Sequence, residues 1–179
     1  MSFENAAEAN AVAKLVELLE RDCMTDASGA PVENADQSAK MTMGVITPYR
    51  AQARLIKSKT DRLYENMRRS RTASKFKTVG EERFAVKSVD DFQGDERDII
   101  ILSLVRTKSS AFISDFRRIN VAMSRARRLL ILVGNEESLV NENIDLDGNG
   151  DVHQVYKEII DRIKEDGGYL DVSELMEVE

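Results

Sequence analysis

Residues 90–105 read Asp90-Asp91-Phe92-Gln93-Gly94-Asp95-Glu96-Arg97-Asp98-Ile99-Ile100-Ile101-Leu102-Ser103-Leu104-Val105. The second half is an apolar strand without alternation. A strand that needs apolar side chains on both faces belongs in the middle of a parallel sheet covered on both sides. The first half is dense in carboxylates and reads as the loop that delivers the chain to that strand. Gly94 permits a sharp turn or a close backbone approach to a ligand. Glu96 can accept hydrogen bonds from a ribose hydroxyl pair; read by composition alone, Asp90, Asp91 and Asp95 are turn formers and Glu96 is a solvated carboxylate.

Upstream of this stretch, residues 84–89 form another strand candidate and residues 43–47 a short buried strand. Pro48 restricts Thr47 to an extended conformation ahead of a helix that starts near Tyr49, which makes a strand-loop-helix unit. A helix over residues 4–21 places Val12, Leu15, Val16 and Leu19 on one face. Residues 24–39, with Ser28, Gly29, Pro31, Asn34 and Asp36, form a polar, exposed insert. Downstream, residues 116–134 read Phe-Arg-Arg-Ile-Asn-Val-Ala-Met-Ser-Arg-Ala-Arg-Arg-Leu-Leu-Ile-Leu-Val-Gly. On a helix, Arg118, Ala122 and Arg125 share a face, which leaves room for an anion between the arginines. Ile119, Met123 and Ala126 share another that can pack on a sheet, and residues 129–133 read as a buried strand. Taken alone, the arginine pair reads as a solvated, salt-bridging face. The alternation of strands and helices predicts an α/β domain of three layers with a mostly parallel sheet and active residues on loops at strand ends.

The chain has 179 residues, 42% of them hydrophobic, which suits one globular domain. Its net charge of −6 argues against a nucleic-acid partner until it is divided along the chain. Residues 1–39 carry −6, residues 40–135 carry +11 and residues 136–179 carry −11. A basic middle between acidic ends suggests a cationic face that acts locally, since exposed charges more than about 8 Å apart are largely screened at physiological salt. The run from Arg50 to Lys77 holds ten Lys or Arg and two acids, more than solubility requires, and suits sequence-independent phosphate contact. Phe76 is too little aromatic content there for a base-stacking platform. Cys23 is the single cysteine, which excludes an internal disulfide and a cysteine-based zinc site. With no apolar run long enough to span a bilayer and an acidic start unlike a signal peptide, a cytoplasmic protein is expected, or a nuclear one if the source is eukaryotic.

Three segments carry a resemblance. Residues 44–52 (Gly-Val-Ile-Thr-Pro-Tyr-Arg-Ala-Gln), residues 88–103 and residues 117–127 resemble, in this order and spacing, motifs IV, V and VI of superfamily 1B helicases of the up-frameshift and senataxin type. The resemblance covers about residues 2–135 and implies the second of two RecA-like domains that grip ATP and a nucleic-acid strand between them. It implies that Arg125 acts as an arginine finger on the γ-phosphate and that Glu96 holds the ribose. Gln93 and Gly94 shape the nucleotide contact, and Arg118 belongs to the same set or pairs structurally with the motif V loop. Thr47, Pro48, Tyr49 and Ser88 match positions that contact single-stranded DNA or RNA. Asp95 stands where relatives often carry a basic residue, and reads as variation at an exposed position.

No Gly-x-x-x-x-Gly-Lys-Ser/Thr loop is present, since none of the nine glycines precedes a lysine. There is also no apolar strand ending in Asp-Glu to hold magnesium. ATP and Mg²⁺ are therefore expected only together with a first RecA-like domain in cis, and the chain is not expected to hydrolyse ATP alone. The Tyr-Arg pair that the family carries just upstream of this domain is missing, so the sequence is expected to follow that pair in a longer polypeptide. The alternative is a stand-alone, non-catalytic module that binds nucleic acid or a protein.

The acidic extension over residues 136–179 lies outside the resemblance. Asp145-Leu146-Asp147-Gly148-Asn149-Gly150-Asp151 mimics the start of an EF-hand loop, but position 12 is Tyr156 where a bidentate Glu is needed. No metal site is therefore expected. A polar turn with Asp151 capping a helix to about Lys164 accounts for the same residues. Val155, Ile159, Ile160 and Ile163 give that helix an apolar face that packs on the domain, His153 is exposed on it, and Gly167 and Gly168 end it.

Overall fold

The computed structural model describes residues 3–22, 41–69, 83–105, 115–142, 144–145 and 152–178. The 24–39 insert, Cys23, Phe76 and most of the EF-hand-like turn lie outside the described residues. In chain order the elements are α1 (Ala6–Asp22), β1 (Met43–Thr47), α2 (Arg50–Arg69), β2 (Phe84–Ser88), β3 (Arg97–Ser103), α3 (Phe116–Met123), β4 (Ala126–Val133), α4 (Glu136–Val140), β5 (Ile144–Asp145), β6 (Val152–His153), α5 (Val155–Glu165) and α6 (Val172–Glu177).

Four strands form one sheet in the order β2-β1-β3-β4, and every pairing is parallel. Its two faces are fed by alternate residues of the same strands, as the period of two requires. Val45, Ile99 and Ile101 pack with Val12 and Val16 of α1, Ile56 of α2 and Leu175 of α6. Ile46, Ile100 and Leu102 pack with Phe92, with Ile119 and Ala122 of α3, with Leu139 of α4 and with Tyr156 and Ile160 of α5. Helices thus cover both faces, and the chain is a three-layer α/β domain of RecA-like type. Ile99 to Leu102, central and covered on both sides, are at most 2% exposed.

Two expectations need correction. Residues 129–133 are not a buried strand: β4 is the last strand of the sheet among the described residues, and Leu129 is 42% exposed. Asp151 lies outside the described residues, and the helix after it has Gln154 at its N-cap. Ile144 and Asp145 pair antiparallel with His153 and Val152, and α5 starts later, after Gln154. His153 is exposed, on strand β6 rather than on a helix. The end of α5 follows the glycines: Gly167 has φ +72°, its N–H donates to Lys164 O at 3.1 Å, and Gly168 N–H reaches back to Ile163 O at 2.8 Å. That is the Schellman arrangement, which only a left-handed residue completes. Beyond it α6, which the sequence did not suggest, seats Leu175 against α1.

Candidate functional site

The geometry of the site follows from one connection. Thr47 and Ser88 stand side by side where β1 and β2 end, and β3 starts at Arg97 in the same direction as both. Residues 89–96 must therefore return from the C-terminal edge of the sheet to its N-terminal edge, about 16 Å for a five-residue strand. No long helix makes this return. A single 3₁₀ turn at Asp90–Phe92 starts it, and Phe92, 1% exposed, anchors it on the sheet. Gly44 makes the seat: a Cβ there would stand 2.7 Å from Phe92 Cζ and 2.9 Å from Ile100 Cδ1. Lys87 and Arg97 approach the same ring at 5.9 and 5.7 Å.

Helix α3 makes a similar journey on the same face, from the end of β3 to the start of β4. Asp115 caps it by accepting from Arg118 N–H. At the start of α3, Arg118 Nη2 donates to Asp90 Oδ1 at 2.7 Å, which is the pairing with the motif V loop suggested for it. At the other end Arg97 N–H donates to Arg125 O at 3.0 Å, and Arg127 Nε to Glu96 Oε2 at 3.2 Å. The crossover and the helix are therefore tied to each other at both edges of the sheet.

This arrangement separates residues that the sequence grouped. Arg118 and Arg125 do not flank an anion-sized gap, because Ala122 is 1% exposed and packed in the core with Ile119. Arg125 also lies beyond the helix, in the turn that follows Met123. Seven residues at 1.5 Å each place it roughly 10 Å from Arg118 along the axis. Its Nε donates to Val121 O at 3.0 Å, and among the described residues it makes no ion pair. Glu96 and Arg127, with side chains 49% and 57% exposed, stand beside it at the N-terminal edge. Gln93 and Gly94 are exposed on the crossover leading there. Gly94 has φ +79° and open space where a Cβ would be, so the turn requires the glycine and crowding by the fold does not.

Asp95 is not an exposed variant. It is half-buried, pairs with Arg97, and lies 3.6 Å from Lys87 Nζ. Burial alone would raise its carboxyl, and the hydrogen bond and charge of Arg97 with that of Lys87 hold it below the ordinary range. The acid here thus pairs with two cations on the strands that flank its loop, Lys87 of β2 and Arg97 of β3.

Thr47, Pro48, Tyr49 and Ser88 gather at the opposite, C-terminal edge. Thr47 is fully buried, and its Oγ1 has no hydrogen-bond partner among the described residues. Ser88, 3% exposed, donates its hydroxyl to Asp91, which also accepts from Arg50 Nη2 at 3.1 Å. The Ser88 bond first, then Arg50, holds the Asp91 carboxyl below its usual range. Tyr49 and Pro48 are half-buried, and the Tyr49 ring meets Phe3 edge-on at 5.3 Å.

Behind this edge lies a set of residues the sequence reading passed over. Asn5 caps α1, its Oδ1 accepting from Glu8 N–H at 3.1 Å. The Asn-x-x-Glu spacing is that of a capping box, whose glutamate ordinarily returns to the cap's own N–H. Here Gln52 Oε1 takes that N–H at 2.7 Å, and the Glu8 carboxylate goes elsewhere. It accepts from Val105 N–H at 2.6 Å and from Ser103 Oγ at 3.1 Å. The capping pattern was the available signal.

No helix among the described residues is long and apolar enough to cross a membrane, and those residues hold no group of carboxylates, histidines and cysteines placed to bind a metal.

With the geometry established, comparison with known proteins gives the family. Residues 1–137 match the AAA domain family. An uncharacterized ATP-dependent helicase of Methanocaldococcus jannaschii is 40% identical over 105 residues, 59% of this chain and 13% of that protein. Helicase SEN1 of Saccharomyces cerevisiae is 32% identical over 150 residues, 80% of this chain and 6% of the relative. The regulator of nonsense transcripts 1 homolog of Neurospora crassa is 38% identical over 105 residues, 57% of this chain and 9% of that protein. The chain thus spans only about a tenth of the length of these relatives. The motifs, the all-parallel sheet and the match over residues 1–137 converge: this chain belongs to the AAA domain family, among the superfamily 1B helicases.

Proposed function

We propose that the chain is the second motor domain of an ATP-dependent superfamily 1 helicase, which closes an ATP site completed by a preceding RecA-like domain and grips single-stranded DNA or RNA. The observation that carries this reading is the division of the candidate residues between opposite edges of one sheet, joined by the tied crossover and α3. Arg125, Glu96, Gln93 and Gly94 serve the nucleotide; Pro48 and Tyr49 serve the strand, with Thr47 and Ser88 buried beneath that edge and shaping it. Arg118 fits a structural role as the tie to Asp90 better than a nucleotide contact.

An arginine that makes no ion pair among the described residues suits a triphosphate brought by another domain, because none of those residues neutralises its guanidinium. An arginine finger is worth roughly 10³ to 10⁵ in rate, about 4 to 7 kcal/mol of barrier. Mg²⁺ would be held by the phosphates and the other domain, where it would neutralise charge developing on the transferred phosphoryl group. The exposed basic residues of α2, among them Arg50, Arg54 and Lys57, supply phosphate contacts that carry no base information.

The test is Arg125→Ala in the full-length polypeptide that carries the P-loop. ATP turnover is expected to fall at least about 10³-fold with strand affinity retained. Normal turnover would remove Arg125 from the finger role.

A further inference from the structure

The C-terminal edge is held from behind by a buried polar chain. Gln52, fully buried on α2, accepts from Asn5 N–H at 2.7 Å and donates to Asn5 O at 3.1 Å and to Ser103 Oγ at 3.3 Å. Ser103 donates to Glu8, and Glu8 accepts from Val105 N–H. Asn5 Nδ2 closes the ring on Val105 O at 3.3 Å. Val105 has φ +72°, the only positive value on a residue other than glycine among the described residues. A β-branched residue resists that conformation, so it persists only where both its backbone groups are held, as Glu8 and Asn5 hold them here.

Two members of the ring adjoin the strand-facing group. Gln52 lies one helical turn beyond Tyr49, and Asn5 follows Phe3, whose ring meets that of Tyr49. Leu104, next to Val105, packs in the same cluster as Ile119 and Ala122 of α3. We propose that Glu8 is a positioning residue for nucleic-acid binding: through Asn5, Gln52 and Ser103 it fixes the first turns of α1 and α2 and the exit of β3, and so sets the Pro48-Tyr49 surface that lies over the buried Thr47. This rests on the nucleic-acid reading given above.

Burial is the main influence on Glu8 and pushes its carboxyl up to about 7, against the bonds from Val105, Ser103 and Leu104 that favour the ionised form. The groups that face it are Asn5 on its own helix and Ser103, Leu104 and Val105 of the β3 exit, with Gln52 of α2 behind Ser103; none of them titrates. Around neutral pH the ring therefore exists in two forms. The ionised carboxylate accepts from both neighbours. The protonated one must place its own hydrogen, which reverses the bond to Ser103 and weakens the hold on Val105. The fold as a whole gains from protonation, because a buried neutral acid is less costly than a buried anion. Stability and strand affinity should thus respond to acid in opposite directions, which a merely structural carboxylate would not produce.

The experiment is fluorescence anisotropy with labelled oligo-dT and oligo-U on this chain between pH 6 and 8, alongside chemical denaturation, for the wild type, Glu8→Gln and Gln52→Ala. Expected are a wild-type affinity that falls severalfold from pH 8 to 6 while stability rises, a Glu8→Gln affinity that is lower at pH 8 and flat, and a Gln52→Ala affinity that is lower with the circular dichroism unchanged. The wild-type profile stands even where a variant does not fold. Affinity that rises with stability on acidification, or variants that bind as the wild type does, would overturn the positioning role alone. A wild-type chain that binds neither oligonucleotide would overturn the nucleic-acid reading, and this proposal with it.

Discussion

The two edges of the sheet are built on opposite plans. At the C-terminal edge Thr47, Ser88, Ser103, Gln52 and Glu8 are all buried, and most are hydrogen-bonded to one another or to nearby backbone. At the N-terminal edge Glu96 and Arg127 stand in solvent beside Arg125, joined by one exposed pair. An edge organised in advance can bind a flexible ligand without first ordering itself, which removes part of the entropic cost of association. An edge of loosely paired charges gains most when a second surface excludes water from it, since the effective dielectric falls and each interaction strengthens. The difference suits the proposed division, with a strand on one edge and a nucleotide closed over by another domain on the other.

The largest effect should come from cutting the link between the two plans. Phe92→Ala removes the anchor of the crossover and leaves a void over Gly44; a loss of roughly 3 to 5 kcal/mol is expected by urea denaturation. A loss below about 1 kcal/mol would mean that the crossover holds without its anchor.

Next comes the buried edge. Glu8 titrates near 4.5 when unfolded and about 7 in the fold. Its contribution to stability is therefore fully present below about pH 4.5 and is lost as pH rises through about 7. The change is of order 3 kcal/mol if the shift is taken whole. Denaturation midpoints measured from pH 4.5 to 8 should show this decline in the wild type. Glu8→Gln should lack it, and an unchanged slope in the variant would assign the titration elsewhere.

The smallest effect belongs to the open edge. Arg127→Ala breaks the pair with Glu96, both partners half in solvent, and should change stability by less than about 1 kcal/mol. A larger loss would make that edge as built-in as the other.

The strands, the parallel order and the two-sided core were legible because apolar runs and turn residues report burial directly. Ile99 to Leu102 are the plainest case. Less of the site was legible. Arg118, Ala122 and Arg125 share a helical face on paper, but the helix ends at Met123 and the core claims Ala122. Asp95 looked like a solvated acid because the cations it meets, Lys87 and Arg97, reach it only once Phe92 is seated between them. Glu8 stayed hidden for a similar reason. Local spacing announces a capping box, and only Gln52, 47 positions from the capping Asn5, shows that the Glu8 carboxylate goes elsewhere. Side chains whose partners are distant in sequence leave no periodic trace.

Residues 136–179 were read as an acidic extension with one helix packed on the same domain, and their described part reaches both of its faces. Leu139, Tyr156 and Ile160 lie in the cluster under α3, and Leu175 lies in the cluster under α1. During synthesis, then, neither layer is complete when the motif-bearing segments have left the ribosome. The sheet must wait for α5 on one side and for Leu175 on the other, with apolar surface open to chaperones until they arrive.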